Sequence, residues 1–153
     1  MELLEYIDIF RENYQIEAKK ATGGLPHSLW ETYSAFANTE GGYILLGVEE
    51  YKDHSLHLVD LENAEEMVVQ FWQIINDTRK ISKNILKKED VQIKNIQNKK
   101  IITIHVPKGY IQDLPIYIGQ DPYSGSYYRY GEADIKVPYE QVTDMLMRRK
   151  KKL

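Results

Sequence analysis

The spacing of hydrophobic positions changes several times along the chain, and each change marks an element. Leu3, Leu4, Ile7 and Phe10 recur at helical intervals with Glu2, Glu5 and Asp8 on the remaining surface, which predicts a short amphipathic helix over 2–10. Residues 14–19 (YQIEAK) carry no helical stripe and run into Thr22-Gly23-Gly24, so a strand and then a loop are predicted. From Pro26 the helical period returns through Leu29, Tyr33, Phe36 and Ala37. Pro26 itself or the pair Ser28-x-x-Glu31 can open this helix, and Gly41-Gly42 ends it. Tyr43 to Val48 is almost continuously apolar, the pattern of a central strand covered on both faces, although periodicity alone leaves a helix open.

Further along, Ser55–Val59 reads as a strand, and Met67, Val68, Phe71, Trp72 and Ile75 mark a helix over 62–75. Residues 91–96 and 101–106 form two β-rich runs joined around Gln97-Asn98-Lys99-Lys100, the pattern of a hairpin. Two short strands are expected at Tyr117 and Tyr127–Tyr130 around a Pro122/Gly125 turn, and a last helix from Pro138 to Met147. The sum is an α+β domain, with a mixed sheet of five or six strands and about four helices packed on it. One domain over 1–147 is expected, without internal repeat or linker, followed by a basic tail over 148–153.

Composition narrows the chemistry. A chain of 153 residues with 42% apolar content can bury one sizeable core. There is no cysteine, so disulfides and thiolate zinc sites are excluded, and His27, His54, His57 and His105 fit no dense ligand spacing. The acid-rich N-terminus has the wrong charge for a signal peptide, and no apolar run approaches the roughly 20 residues of a membrane span. A cytoplasmic protein without membrane association is expected.

Net charge is only −3, but it is unevenly distributed. Residues 1–70 hold 14 acids against 4 Lys/Arg, whereas 71–110 hold 9 Lys/Arg against 3 acids. Such segregation can place a basic stripe and an acidic, cation-attracting pocket on one fold. It can equally bring an acidic face of one copy to a basic face of another, so a homodimer is among the partners considered.

The most informative stretch runs from Glu12 to Glu50. Glu12, Glu17 and Lys19 flank the first strand, Ser34–Gly42 (SAFANTEGG) closes the following helix, and Gly47-Val48-Glu49-Glu50 closes the next strand. Together these resemble the signature of the Schlafen AlbA-type domain family, regarded as DNA-binding and once called divergent AAA. Tyr127–Asp134 (YYRYGEAD) is similar to that family's late strand with its R-x-G turn, so the resemblance covers about residues 10–147. Tyr51-Lys52-Asp53-His54 departs from it, standing where the family commonly has a glycine-punctuated hairpin.

Read without the family, Glu17 and Lys19 point to one face of a strand, because side chains alternate with period two. A carboxylate and an ammonium so placed can hold a divalent cation beside a phosphate oxygen, but most such pairs are plain surface ion pairs. The SAFANTEGG run has a structural reading too: Ala35 and Ala37 permit close packing, Asn38 and Thr39 can bond carbonyls at the helix end, and the glycines turn the chain.

The resemblance implies nucleic acid, DNA or RNA, as partner, and a regulatory DNA-binding module as the first function. Its RNA-cleaving members imply an alternative: a metal-dependent endoribonuclease acting on tRNA or structured RNA. In that reading Glu12, Glu17 and Glu49 or Glu50 hold Mg²⁺ or Mn²⁺, and Lys19 meets the developing negative charge. Relatives often continue into another module, so a further C-terminal domain is also implied.

Seven of the twelve tyrosines lie between 110 and 139. On the predicted strand Tyr128 and Tyr130 share one face and Arg129 the other, an arrangement able to stack a base and grip a phosphate. Lys19, Lys20, Lys83, Lys87, Lys88, Arg148 and Arg149 complete the expected phosphate contacts, the last two opening a run of five cations.

Overall fold

The structure, a computed structural model, describes residues 15–150. The amphipathic segment 2–10, Glu12 and residues 151–153 lie outside the described residues. Among the described residues there are eight strands: β1 (Ile16–Lys19), β2 (Gly42–Leu46), β3 (Val48–Glu50), β4 (Leu56–Leu58), β5 (Val91–Ile96), β6 (Lys99–Val106), β7 (Tyr127–Tyr130) and β8 (Ala133–Lys136). The helices are α1 (Ser28–Asn38), α2 (Ala64–Ile75), the single turn α3 (Pro122–Gly125) and α4 (Tyr139–Lys150).

The α+β class is as the sequence predicts, but the strands divide differently. Four of them form the main sheet in the order β1-β2-β6-β5, with β1 parallel to β2 and the other pairs antiparallel. The remaining four form two separate ribbons, β3–β4 and β7–β8, in place of a fifth and sixth sheet strand. Gly47 is the reason on one side. Its φ of +87° turns the chain out of the sheet, and a Cβ there would sit 2.8 Å from Leu61 Cγ and 2.9 Å from the Val59 carbonyl oxygen. The apolar run 43–48 is thus broken before Val48. On the other side, Tyr117 makes one isolated bridge to Ser126 instead of a strand.

β2 is covered on both faces, as its composition predicts. Ile44 and Leu46 join Leu29, Phe36, Met67, Phe71, Ile102 and Ile104 in the main core beneath α1 and α2. Leu45 faces the other way, with Val48 and Ile101, where Leu56 and Leu58 of the β3–β4 ribbon pack. Burial of large aliphatic and aromatic side chains at about 1.5–3 kcal/mol each drives this two-sided arrangement. Ile16 and Ala18 of β1 also serve the smaller cluster. Alternation therefore sends Glu17 and Lys19 to the α1 side, where their sheet partners are Ile44 and Leu46.

α1 begins without the expected capping pair. His27 is its N-cap and no side chain caps the end; Ser28 is already the first helical residue, and its Oγ accepts from Lys19 Nζ at 3.0 Å. Its other end closes as predicted, the Gly41 amide donating to the Phe36 carbonyl at 2.7 Å with Gly41 at φ +77°. Among the described residues no helix is long and apolar enough to cross a membrane.

Candidate functional site

The β7–β8 ribbon packs on α1 and brings the C-terminal part of the signature against β1. Its register pairs Arg129 with Asp134 across a two-residue Gly131-Glu132 turn, so both side chains leave the same face, toward the sheet. There the Arg129 guanidinium donates to Glu17 Oε1 and to Asp134 Oδ1, both at 2.7 Å. Its side chain is 2% exposed, against 27% for Glu17 and 16% for Asp134. Thr32 donates to the second oxygen of Asp134 at 2.6 Å, and the guanidinium lies 5.0 Å from the centre of the Phe36 ring. Burial would lower the Arg129 pKa, but the bonds to Glu17 and Asp134 outweigh it and hold the cation firmly charged.

Lys19 closes the upper edge of this cluster. Burial lowers its pKa from the ordinary 10.5, opposed by the nearby carboxylates of Glu17 and Asp134. Tyr127, on the ribbon's inward face, has its hydroxyl pKa raised by burial and by the neighbouring Glu31 carboxylate. Glu17 and Asp134 therefore meet Lys19 and Arg129 between β1, α1 and the ribbon, with the Glu31 carboxylate near enough to act on Lys19.

The SAFANT run clamps the ribbon in place. Asn38 donates to the carbonyls of Ile116 and Tyr127 at 2.9 and 2.8 Å and accepts from the Ile116 amide at 2.8 Å. Thr39 Oγ1 accepts from the Arg129 amide at 2.9 Å, and Ser34 Oγ from the Tyr127 amide at 3.0 Å. Apart from Ser34 Oγ, to which Asn38 also donates, the partners of Asn38 and Thr39 given above are distant in sequence and not the carbonyls of their own helix end. Ala35 and Ala37 are fully buried, consistent with close packing.

Glu12 lies outside the described residues; the other residues expected at a functional site are placed as follows. Glu17 and Lys19 do share a face. Glu49 and Glu50 stand opposite His57 and Leu56 in the β3–β4 ribbon, Glu49 half-buried and Glu50 exposed. They line a groove of about 530 Å³ with Tyr51, Lys52 and Asp53, one that includes neither Glu17 nor Lys19. Among the described residues, no three acidic or histidine side chains are grouped to hold a metal ion.

Besides Lys19, four of the expected phosphate contacts have partners within the protein. Arg129 is turned inward and buried, as described above. Arg149 donates to the carbonyls of Asp113, Leu114 and Pro115 at 2.8–3.1 Å, stapling α4 to that segment. Lys83 pairs with Asp113 at 2.5 Å and Arg148 with Asp144 at 3.0 Å. Lys20, Lys87 and Lys88 are exposed. Tyr130 is 72% exposed on the outer face of the ribbon, with half-buried Tyr128 and exposed Ile135 beside it.

Sequence reasoning missed Asp134, Thr32 and Ser28. For Asp134 a signal exists: reading Tyr127–Lys136 as a hairpin closed by Gly131-Glu132 pairs Arg129 with Asp134 directly. Ser28 and Thr32 carry none, since their partners lie 9 and 102 residues away.

Comparison with known proteins places this geometry in a family. No curated protein matches the chain. Among solved structures, the N-terminal domain of a RecG-related protein from Nitrosomonas europaea superposes with a TM-score of 0.63 at 23% identity, covering 90% of this chain and 94% of that one. The DIP2311 protein from Corynebacterium diphtheriae gives a TM-score of 0.52 at 18% identity, covering 83% of this chain but only 22% of that one. Both likenesses concern the fold. The family model described as Schlafen, AlbA_2 matches residues 12–138, and the chain therefore belongs to the Schlafen AlbA_2 family.

Proposed function

We propose that this domain is a nucleic-acid-binding module, a DNA-binding or transcription-regulatory domain that does not itself cut its ligand. The observation that carries this reading is the bond between Glu17 and the buried Arg129. A divalent cation at Glu17 would lie beside a guanidinium and an ammonium, and like charges at such distances repel strongly in a partly desolvated pocket. Glu17 acts here as the counter-ion that seats the ribbon. In the endoribonuclease reading it would instead have to join Glu12 and Glu49 or Glu50 as a ligand.

Seating the ribbon turns Tyr128, Tyr130 and Ile135 outward, a face on which unpaired bases can stack at about 1–3 kcal/mol each. Exposed Lys20, Lys87 and Lys88 supply phosphate contacts. The RecG-related protein sharing the fold is named for its relation to an ATP-dependent DNA helicase, which agrees with nucleic acid as the partner.

The test is retention of labelled duplex DNA, single strands and tRNA, with Mn²⁺ or a chelator. Binding that falls steeply with salt and leaves the ligand intact is expected. Tyr130→Ala should weaken it about tenfold without shifting the melting temperature. Metal-dependent cleavage abolished by Glu17→Ala would establish the nuclease instead. No retention at low salt, together with a dimer by light scattering, would favour self-association.

A further inference from the structure

A groove of about 680 Å³ lies between the β1–α1 loop and the exposed side of α2. Gly23, Gly24, Asn63, Gln70, Gln73 and Lys80 line it, and no acidic side chain does. The volume suits a small organic ligand, and the chemistry is specific: three carboxamides, each with a donor and an acceptor, one ammonium and exposed backbone.

Among the described residues none of these side-chain amides has a hydrogen-bond partner. Asn63 occupies the N-cap of α2, where asparagine commonly bonds the helix, yet its side chain makes no capping bond. Gln70 and Gln73 stand three residues apart on the exposed side of α2, so both amides face the same groove. Lys80 is exposed and makes no ion pair among the described residues. Asp77, three positions earlier, has both carboxylate oxygens on Arg79 at 3.0 Å.

Gly23 is a second, independent sign. Its φ lies outside the left-handed region and an added Cβ would meet nothing within 4 Å. Neither backbone nor packing requires glycine there, and without a side chain its backbone stays open to the groove. One wall of the groove is the loop that leaves the carboxyl end of β1.

We propose that this groove receives one adenine nucleotide of a nucleic-acid strand. The carboxamides of Gln70 and Gln73, aided by Asn63, bond the adenine edge, whose adjacent N6 donor and N7 acceptor match a carboxamide in two bonds. Lys80 and the Gly23-Gly24 backbone take the phosphate. The assignment rests on the nucleic-acid reading above and adds base selectivity to it.

Fluorescence anisotropy at low salt, with labelled oligo(dA), oligo(dT) and oligo(dC) of about 12 nucleotides, tests it. The intact chain should favour oligo(dA). The double variant Gln70→Ala/Gln73→Ala should weaken oligo(dA) about fivefold or more, leave oligo(dT) unchanged and so erase the preference. Gly23→Val should weaken every strand at an unchanged melting temperature, and Tyr130→Ala should weaken all three alike. Strand binding that is blind to Gln70, Gln73 and Gly23 would overturn the groove while the nucleic-acid function stands. Binding of free AMP to the groove without binding of strands would overturn the strand-bound form of the proposal. If no oligonucleotide binds, both this inference and the function beneath it fall.

Discussion

The β7–β8 ribbon turns Arg129 and Asp134 toward the sheet, where Glu17 and Thr32 meet them, whereas the β3–β4 ribbon leaves Glu50 and Asp53 exposed at its surface. The family signature contributes acids to both regions, Glu17 to the first and Glu49-Glu50 to the second. What differs is the packing around them. Next to α1 and Phe36 a charge must be matched by an opposite charge and further hydrogen bonds, so the cluster is saturated. On the second ribbon Asp53 accepts from the Ser55 amide and hydroxyl at an exposed position, where solvent screens its charge. Acids of one signature therefore take different roles according to what covers them.

The largest test of this contrast is Arg129→Ala. Removing the guanidinium leaves Glu17 and Asp134 facing each other with only Lys19 nearby, and about 4 kcal/mol of unfolding free energy should be lost in urea titration. Combining it with Glu17→Gln and Asp134→Asn should restore part of that loss. If Arg129→Ala cost less than about 1 kcal/mol, the cluster would be no more than a surface ion pair.

Asn38→Ala comes next. It leaves the Ile116 amide and two carbonyls without their side-chain partner, and a loss of about 2–3 kcal/mol is expected in the same titration. Faster hydrogen exchange at the Ile116 amide would separate release of the clamp from general loosening of the helix.

Lys19 gives a smaller, pH-dependent effect. Its folded pKa lies below the ordinary 10.5, so the unfolded chain binds more protons between those two values. Stability attributable to Lys19 should therefore rise with pH across that window. Lys19→Met should lack this component, read as the difference between the two unfolding profiles. A profile unchanged by the substitution would show that burial does not perturb Lys19.

The smallest effect belongs to the second ribbon: Glu49→Gln should change stability by no more than about 0.5 kcal/mol. A larger loss would mean that Glu49 has a structural partner and that the contrast is drawn too sharply.

Much of this fold is legible in the residue pattern, for a local reason. α1, α2, α4 and the β5–β6 hairpin rest on periodicity and turn residues within a few positions, so their existence can be read directly. The number of sheet strands cannot, because Gly47 signals a turn without saying on which side of it Val48 will pack. The shared face of Glu17 and Lys19 follows from strand alternation alone. Their partners do not, since Arg129 and Asp134 arrive from more than 110 residues away.

By itself, the sequence determined an α+β domain of the Schlafen AlbA_2 family, a central strand covered on both sides, and the common direction of Glu17 and Lys19. Each depends on short-range geometry or on a motif in fixed order. Only the tertiary structure decided that Arg129 is an internal counter-ion, that Asn38 clamps the ribbon, and that the carboxamides of Asn63, Gln70 and Gln73 line one groove with the β1–α1 loop. Charge and hydrogen-bonding roles depend on which surfaces exclude water, and that is settled only when distant segments pack.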